Sequence, residues 1–212
     1  QDHRAAAELA LQTFRDHHLD VRPVPVDADG MCVDRLRDGI VAARAEGRHV
    51  AFAHTIPAFH NPTSASLSAA RRAELLATAV EFDVVVVADE VYHLLDYGIT
   101  EPGVLRRQPM SAAVHDAPVL SLGTFSKILA PGLRLGWVHA APAMLERLAG
   151  FGVIASGGGL NPVTGHLATM AITSGFADAH LARVRGELAG RAALMSSLAT
   201  ALPGVSFEPV SG

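Results

Sequence analysis

The stretch Phe82-Asp83-Val84-Val85-Val86-Val87-Ala88-Asp89-Glu90-Val91-Tyr92 (FDVVVVADEVY, residues 82–92) decides the fold. Its run of four valines and an alanine, 84–88, is too short for a buried helix and too rich in β-branched residues to prefer one. A strand whose apolar run is continuous rather than alternating belongs in a parallel sheet covered on both faces. The run is therefore read as a central parallel strand. Asp89 stands at its carboxyl end, the edge at which open α/β sheets bind ligands.

The flanking segments extend this pattern. Upstream, Ser68 sits where a helix N-cap belongs, ahead of AARRAELLATAVEF. Before it the short apolar run HVAFAH, 49–54, ends at the proline-containing loop TIPAFHNPTSAS, which predicts a second strand followed by a loop. Helical spacing over AAAELALQTFRDH and over 34–45, with an extended VRPVPVDADG between them, gives helix, strand and helix at the start. Downstream, 98–117 reads as irregular or short-helical, and APVLSLG and RLGWVHA read as strands on either side of a loop. Helices are expected near 142–151, 162–174 and 177–201; Pro203-Gly204 stops the last, and VSFEPV begins an extended segment. Strands alternating with helices predict an α/β fold with a mainly parallel sheet.

Composition narrows the functional classes. The 212 residues suffice for one domain with a buried core, half of them are hydrophobic, and only 18% are charged. A net charge of -4 gives no basic surplus, which argues against nucleic acid and against an anionic membrane surface. Cys32 is the single cysteine, so no intrachain disulfide can form, and a spare thiol suits a reducing, cytoplasmic compartment. The first residues form no signal-peptide apolar core, and no run approaches the ~18 apolar residues that span a bilayer. The 11 histidines show no HExxH-like spacing, so no metal site is expected.

The chemistry is expected in GTFSKILAPGLRLGW, 123–137. Of the 17 lysines and arginines only Lys127 is a lysine. An amine can lose its proton and form a Schiff base, whereas guanidinium stays charged and is a poor nucleophile. Thr124, Ser126 and Arg134 around it offer hydroxyls and a cation to a phosphate, and a phosphate beside a lysine suggests pyridoxal phosphate. Asp89 at the strand end can hold a protonated pyridine nitrogen, Tyr92 can hydrogen-bond the ring oxygen, and Asn61 follows an earlier strand and reaches the same edge. Taken singly, each side chain also fits a plainer role: Lys127 a surface cation, Arg134 a charge at a strand end, Asp89 a turn cap, Tyr92 a core residue, Asn61-Pro62 an ordinary turn.

Together, HNPT at 60–63, ADEVY at 88–92, and GTFSK with PGLRLGW at 123–137 resemble, in order and spacing, fold-type I pyridoxal-phosphate enzymes, specifically class I and II aminotransferases. The lysine loop, with ASGGGLNP at 155–162, is similar to the branch that includes 2-aminoadipate, kynurenine and aromatic aminotransferases. The resemblance implies the three-layer large domain of that fold over residues 1–176, a mostly parallel sheet with helices on both faces. Residues 177–212 would then be a long connecting helix and the start of a small C-terminal domain.

It further implies that Lys127 holds pyridoxal 5'-phosphate as a Schiff base and shuttles a proton at the substrate α-carbon. Asp89 would pair with the pyridine nitrogen, Tyr92 and Asn61 would contact the ring hydroxyl oxygen, and Thr124, Ser126 and Arg134 would bind phosphate. The implied reaction moves an amino group between an L-amino acid and a 2-oxo acid in a homodimer. A lyase, decarboxylase or cyclase on the same scaffold, or a cofactor-sensing domain of a transcription regulator, is the alternative. The chain resembles the middle of such an enzyme, so the glycine-containing phosphate loop and the arginine that clamps the substrate carboxylate are expected outside it. Ser64 stands where the family's Asn-Pro-Thr-Gly has glycine.

Overall fold

Local sequence sets the first units. The computed structural model describes residues 8–98, 108–113, 117–202 and 212. Helix α1 (Glu8–Asp16) is followed by a small antiparallel hairpin, β1 (Val26–Asp27) and β2 (Gly30–Met31), and by helix α2 (Val33–Ala45). Asp27 Oδ1 accepts from the Asp29 amide at 2.9 Å, which tightens the hairpin turn. Gly30 closes it at φ +92°, and a Cβ there would lie 2.7 Å from the Leu67 side chain, so both torsion and space require glycine.

Strand β3 (Phe52–Thr55) leads through the loop around Asn61 into α3 (Ala69–Glu81). Ser68 caps α3, its hydroxyl accepting from the Arg71 amide at 3.3 Å. The buried stripe of α3 is Arg72, Leu75, Leu76 and Ala79, the i, i+3, i+4, i+7 spacing of a helix laid on a sheet. That stripe, with Leu36 and Ile40 of α2, packs on one face of the sheet and forms the core.

The main sheet has four strands in the order β3, β4 (Val85–Asp89), β5 (Val119–Thr124) and β6 (Gly136–His139). β3, β4 and β5 are mutually parallel, and β6 returns antiparallel to β5. The strand expected at 84–88 is thus central and parallel, displaced by one residue. Its two faces are not equivalent: Val86 and Ala88 are buried against α2 and α3, whereas Val85, Val87 and Asp89 are half-buried. On that second side α1 supplies cover, Phe14 meeting Phe52 edge-on at 5.3 Å.

The second half is helical: α4 (Pro142–Ala149), the single turn α5 (Gly152–Ala155), α6 (Pro162–Thr173) and α7 (Phe176–Thr200). The Asn161 side chain caps α6 by accepting from the Val163 amide at 2.9 Å. From Phe151 onward, large apolar side chains such as Val153, Leu160, Val163, Met170 and Phe176 stand exposed. The expected extended segment at 205–210 and much of 98–117 lie outside the described residues. No described helix is long and apolar enough to cross a membrane.

Leu75, fully buried on α3, and Val80, 60% exposed on the same helix, separate core packing from helix propensity. Leu75→Ala is expected to cost about 2–5 kcal/mol, and Val80→Ala under about 0.5 kcal/mol. Urea unfolding followed by circular dichroism checks both.

Candidate active site

Parallel strands bring their carboxyl ends to one edge, and the sequence places its candidates there. The loop carrying Asn61 follows β3, Asp89 ends β4, and Thr124 ends β5. Asp89 pairs in register with Leu122, so Thr124, two residues further, rises from the same face of the sheet. Tyr92 opens the short helical turn His93–Leu95, and the Lys127 ammonium lies over its ring, 5.6 Å from the centroid. An exposed contact of this kind is worth roughly 0.5–1 kcal/mol, weak enough for the amine to leave it.

The loop that presents Lys127 is closed by backbone bonds. The Phe125 amide donates to Leu135 O at 3.0 Å, and the Leu129 amide to Phe125 O at 2.9 Å. Thr124 Oγ1 accepts from the Ser126 amide at 3.1 Å. Gly123 has no room for a side chain, since a Cβ would stand 2.1 Å from the Trp137 indole, and Trp137 in turn meets the Phe125 ring edge-on at 4.9 Å.

Arg134 takes the left-handed conformation, φ 48° and ψ 40°, which turns its guanidinium back to Ser126 Oγ at 3.4 Å. Thr124, Ser126 and Arg134 thereby form one group of two hydroxyls and a cation beside Lys127, a donor set that suits a phosphate dianion. The apolar cleft of about 200 Å³ behind the loop, lined by Phe125, Ile128 and Trp137 together with Asp178, suits neither phosphate nor a polar ring.

Asn61 is less closely joined. It is exposed, follows His60, whose Nδ1 meets Thr63 Oγ1 at 2.9 Å, and makes no hydrogen bond to the other candidates among the described residues. The peptide Asn61-Pro62 is cis, and Ser64 holds φ 59°, the left-handed torsion for which glycine is the easiest residue. Lys127 with Tyr92, and Ser126 with Arg134, are brought into contact; Asn61 shares only their edge.

Two features were not singled out by sequence. His54 on β3 places Nε2 3.8 Å from Asp89 Oδ2, and its only sequence signal was membership of the strand run HVAFAH. Glu90 is the second. The pleat sends it to the opposite face from Asp89, where it is 1% exposed and its two oxygens accept from the Met110 amide at 3.1 and 3.2 Å.

Arg72, 4% exposed, lies 3.8 Å from Glu90 and donates to Gln108 O at 3.3 Å; its Nε and Nη2 have no hydrogen-bond partner among the described residues. Burial raises the Glu90 carboxyl above the usual carboxylate range against the hydrogen bond from Ser121 and the charge of Arg72, and burial lowers the Arg72 guanidinium. The Glu90 carbonyl accepts from the His93 amide at 3.3 Å and from the His93 ring Nδ1, and burial lowers the His93 pKa. Arg185 of α7 donates to Leu94 O at 2.7 Å and ties the same turn to the long helix.

A parallel sheet with a lysine loop, a strand-end carboxylate and a hydroxyl–guanidinium group on one edge defines a class of proteins. Residues 11–208 match the family described as aminotransferase class I and II, and the chain belongs to that family. It is 38% identical over 139 residues to aromatic-amino-acid aminotransferase 1 of Thermococcus litoralis, covering 66% of this chain and 32% of that protein. It is 29% identical over 182 residues to the uncharacterised HTH-type transcriptional regulator YisV of Bacillus subtilis, covering 86% of this chain and 35% of that one. The solved structure of Pyrococcus horikoshii kynurenine aminotransferase, in complex with PMP and with kynurenine as substrate, superposes with a TM-score of 0.82 at 28% identity, over 96% of this chain and 49% of that chain. The chain thus spans about a third of the curated relatives and half of the solved structure.

The Glu90–Arg72 pair and His93 yield two expectations. Glu90→Gln leaves Arg72 buried without a counter-charge and should cost about 3 kcal/mol, whereas Arg72→Met with Glu90→Gln should return close to the parent; guanidinium unfolding of the single and double variants tests this. His93 is favoured neutral in the folded state, so its contribution is complete above the unfolded value of 6.5 and is lost as pH falls toward its lower folded value. Stability should therefore rise with pH just below 6.5 more steeply in the parent than in His93→Gln, as read from unfolding midpoints across that range.

Proposed function

We propose that this chain is the cofactor-binding part of a pyridoxal-phosphate aminotransferase that moves an amino group between an L-amino acid and a 2-oxo acid. The observation that carries the reading is the single lysine held over Tyr92 at the sheet edge, beside the Thr124, Ser126 and Arg134 group. The residues fit the cofactor by the chemistry of their donors and acceptors. Thr124, Ser126 and Arg134 would hold its phosphate, Asp89 would accept from the protonated ring nitrogen, and Tyr92 and Asn61 would donate to the ring hydroxyl oxygen. Lys127 would bind it covalently through its amine. When bound, the cofactor supplies an electron sink for negative charge at the substrate α-carbon.

This chain's own contribution is positioning and proton movement. Lys127 would hold the cofactor through its amine, and its Nζ, once free, would accept and hold the proton of the substrate α-carbon. Tyr92, whose ring lies under the ammonium, would help to hold the amine at the sheet edge. Asp89, the last residue of β4, would present its carboxylate at the sheet edge.

Residues 1–176 would form the cofactor-binding domain and 177–212 a connecting helix with the start of a second domain. The exposed apolar side chains between Phe151 and Phe176 support assembly as a homodimer, because a patch of that kind seeks cover. The single thiol of Cys32 suits the cytoplasm. A second reading takes its support from the likeness to YisV, a transcriptional regulator: this chain would capture the cofactor as a ligand and turn nothing over.

Borohydride reduction after adding pyridoxal phosphate, followed by digestion and mass spectrometry, should label the peptide containing Lys127 and leave Lys127→Ala unlabelled. Withholding the 2-oxo acid while supplying aromatic and other L-amino acids then separates the two readings: a transaminase accumulates pyridoxamine phosphate, a sensor does not. Arg134→Gln should weaken capture of pyridoxal phosphate by about tenfold, since a hydrogen bond to a charged group contributes about 1.5–3 kcal/mol, measured by fluorescence titration.

A further inference from the structure

We propose that His54 is a positioning residue for Asp89, holding its carboxylate in place for the cofactor ring nitrogen; the inference rests on the pyridoxal-phosphate reading of the site. His54 pairs in register with Val87 of the neighbouring strand, and Asp89 lies two residues beyond Val87, so both side chains leave the same face of the sheet. His54 Nε2 stands 3.8 Å from Asp89 Oδ2, and the two side chains are only 25% and 29% exposed. That separation exceeds a direct hydrogen bond and fits an electrostatic pair or one bridged by water.

The ring of His54 is itself held. Phe14 of α1 meets it edge-on at 5.7 Å with an interplanar angle of 70°, and the same Phe14 packs on Phe52. Around the pair this face carries Phe52, Val85, Val87, Leu120 and Leu122, all apolar, so the attraction between imidazole and carboxylate is screened less than at an open surface. A strand-end carboxylate on a flexible χ1 and χ2 has several rotamers. A cationic or donating partner on one oxygen selects one of them and leaves the other oxygen for the ring nitrogen. The charged or titratable group facing His54 in the described contacts is Asp89.

The test compares the parent with His54→Phe, which keeps the packing against Phe14, and with His54→Gln should the first variant lose its fold. Binding is measured for pyridoxal phosphate and for its analogue with carbon in place of the ring nitrogen. His54→Phe should weaken pyridoxal phosphate by about fivefold and leave the analogue unchanged, because only the former engages Asp89 through a ring nitrogen. Equal losses on both ligands, or no loss on either, would overturn the proposal.

In the cofactor-free chain, thermal unfolding of His54→Phe, Asp89→Asn and the double variant should be non-additive, and additivity would count against the pair. Absence of Lys127 labelling in the parent removes the reading of the site and this inference together. Labelling with equal losses removes the inference alone.

Discussion

A carboxylate 1% exposed beside an arginine 4% exposed fixes the end of β4, and the candidate site is built outward from that pair. Adjacent residues on a strand face opposite ways, so Asp89 and Glu90, identical in charge, are sent to opposite environments. Glu90 goes into the core, where the Met110 amide bonds both its oxygens and Arg72 offsets its charge. Its backbone amide donates to Leu122 O at 2.9 Å, and its carbonyl takes His93. With both the side chain and the main chain of Glu90 held, the turn from Asp89 to Tyr92 has little freedom, and Asp89 is left on the edge where a ligand can reach it. Two charges out of water are expensive, and removal of either partner strands the other.

The lysine loop meets a different constraint, which is space. Its two flanking strands run antiparallel with Gly123 opposite Trp137 and Thr124 opposite Gly136, and a side chain at either glycine would collide, with the indole at 2.1 Å or with Gly123 O at 2.7 Å. Arg134 accepts a left-handed torsion that costs of order 1 kcal/mol or more for a residue with a Cβ. In return its guanidinium folds back onto Ser126 instead of leaving along the strand. Loop closure, cation placement and exposure of Lys127 are thus one arrangement, set by small residues on one side and a strained one on the other.

Much of this was legible in residue order. The valine run and the Ser68 cap were each read from local chemistry and recur in the structure within a residue or two. The motif order placed Lys127, Asp89 and Thr124 on one edge, because three parallel strands can end nowhere else. Ser64 stands where the family has glycine, and it holds a positive φ. The continuous valine run was read as covered equally on both faces, whereas only the face of Val86 and Ala88 is fully buried; a run of like residues carries no information about which side is packed.

The sequence by itself determined the strand and helix units, the edge of the sheet that carries the chemistry and the identity of the amine. These depend on residue type and short spacing, which are local. Tertiary structure alone decided that His54 meets Asp89 across 35 positions of sequence, since strand pairing is set by packing of the whole sheet. It likewise decided that Arg72 belongs to the buried stripe of α3, because a guanidinium enters a core only where a distant carboxylate, here Glu90, waits to receive it.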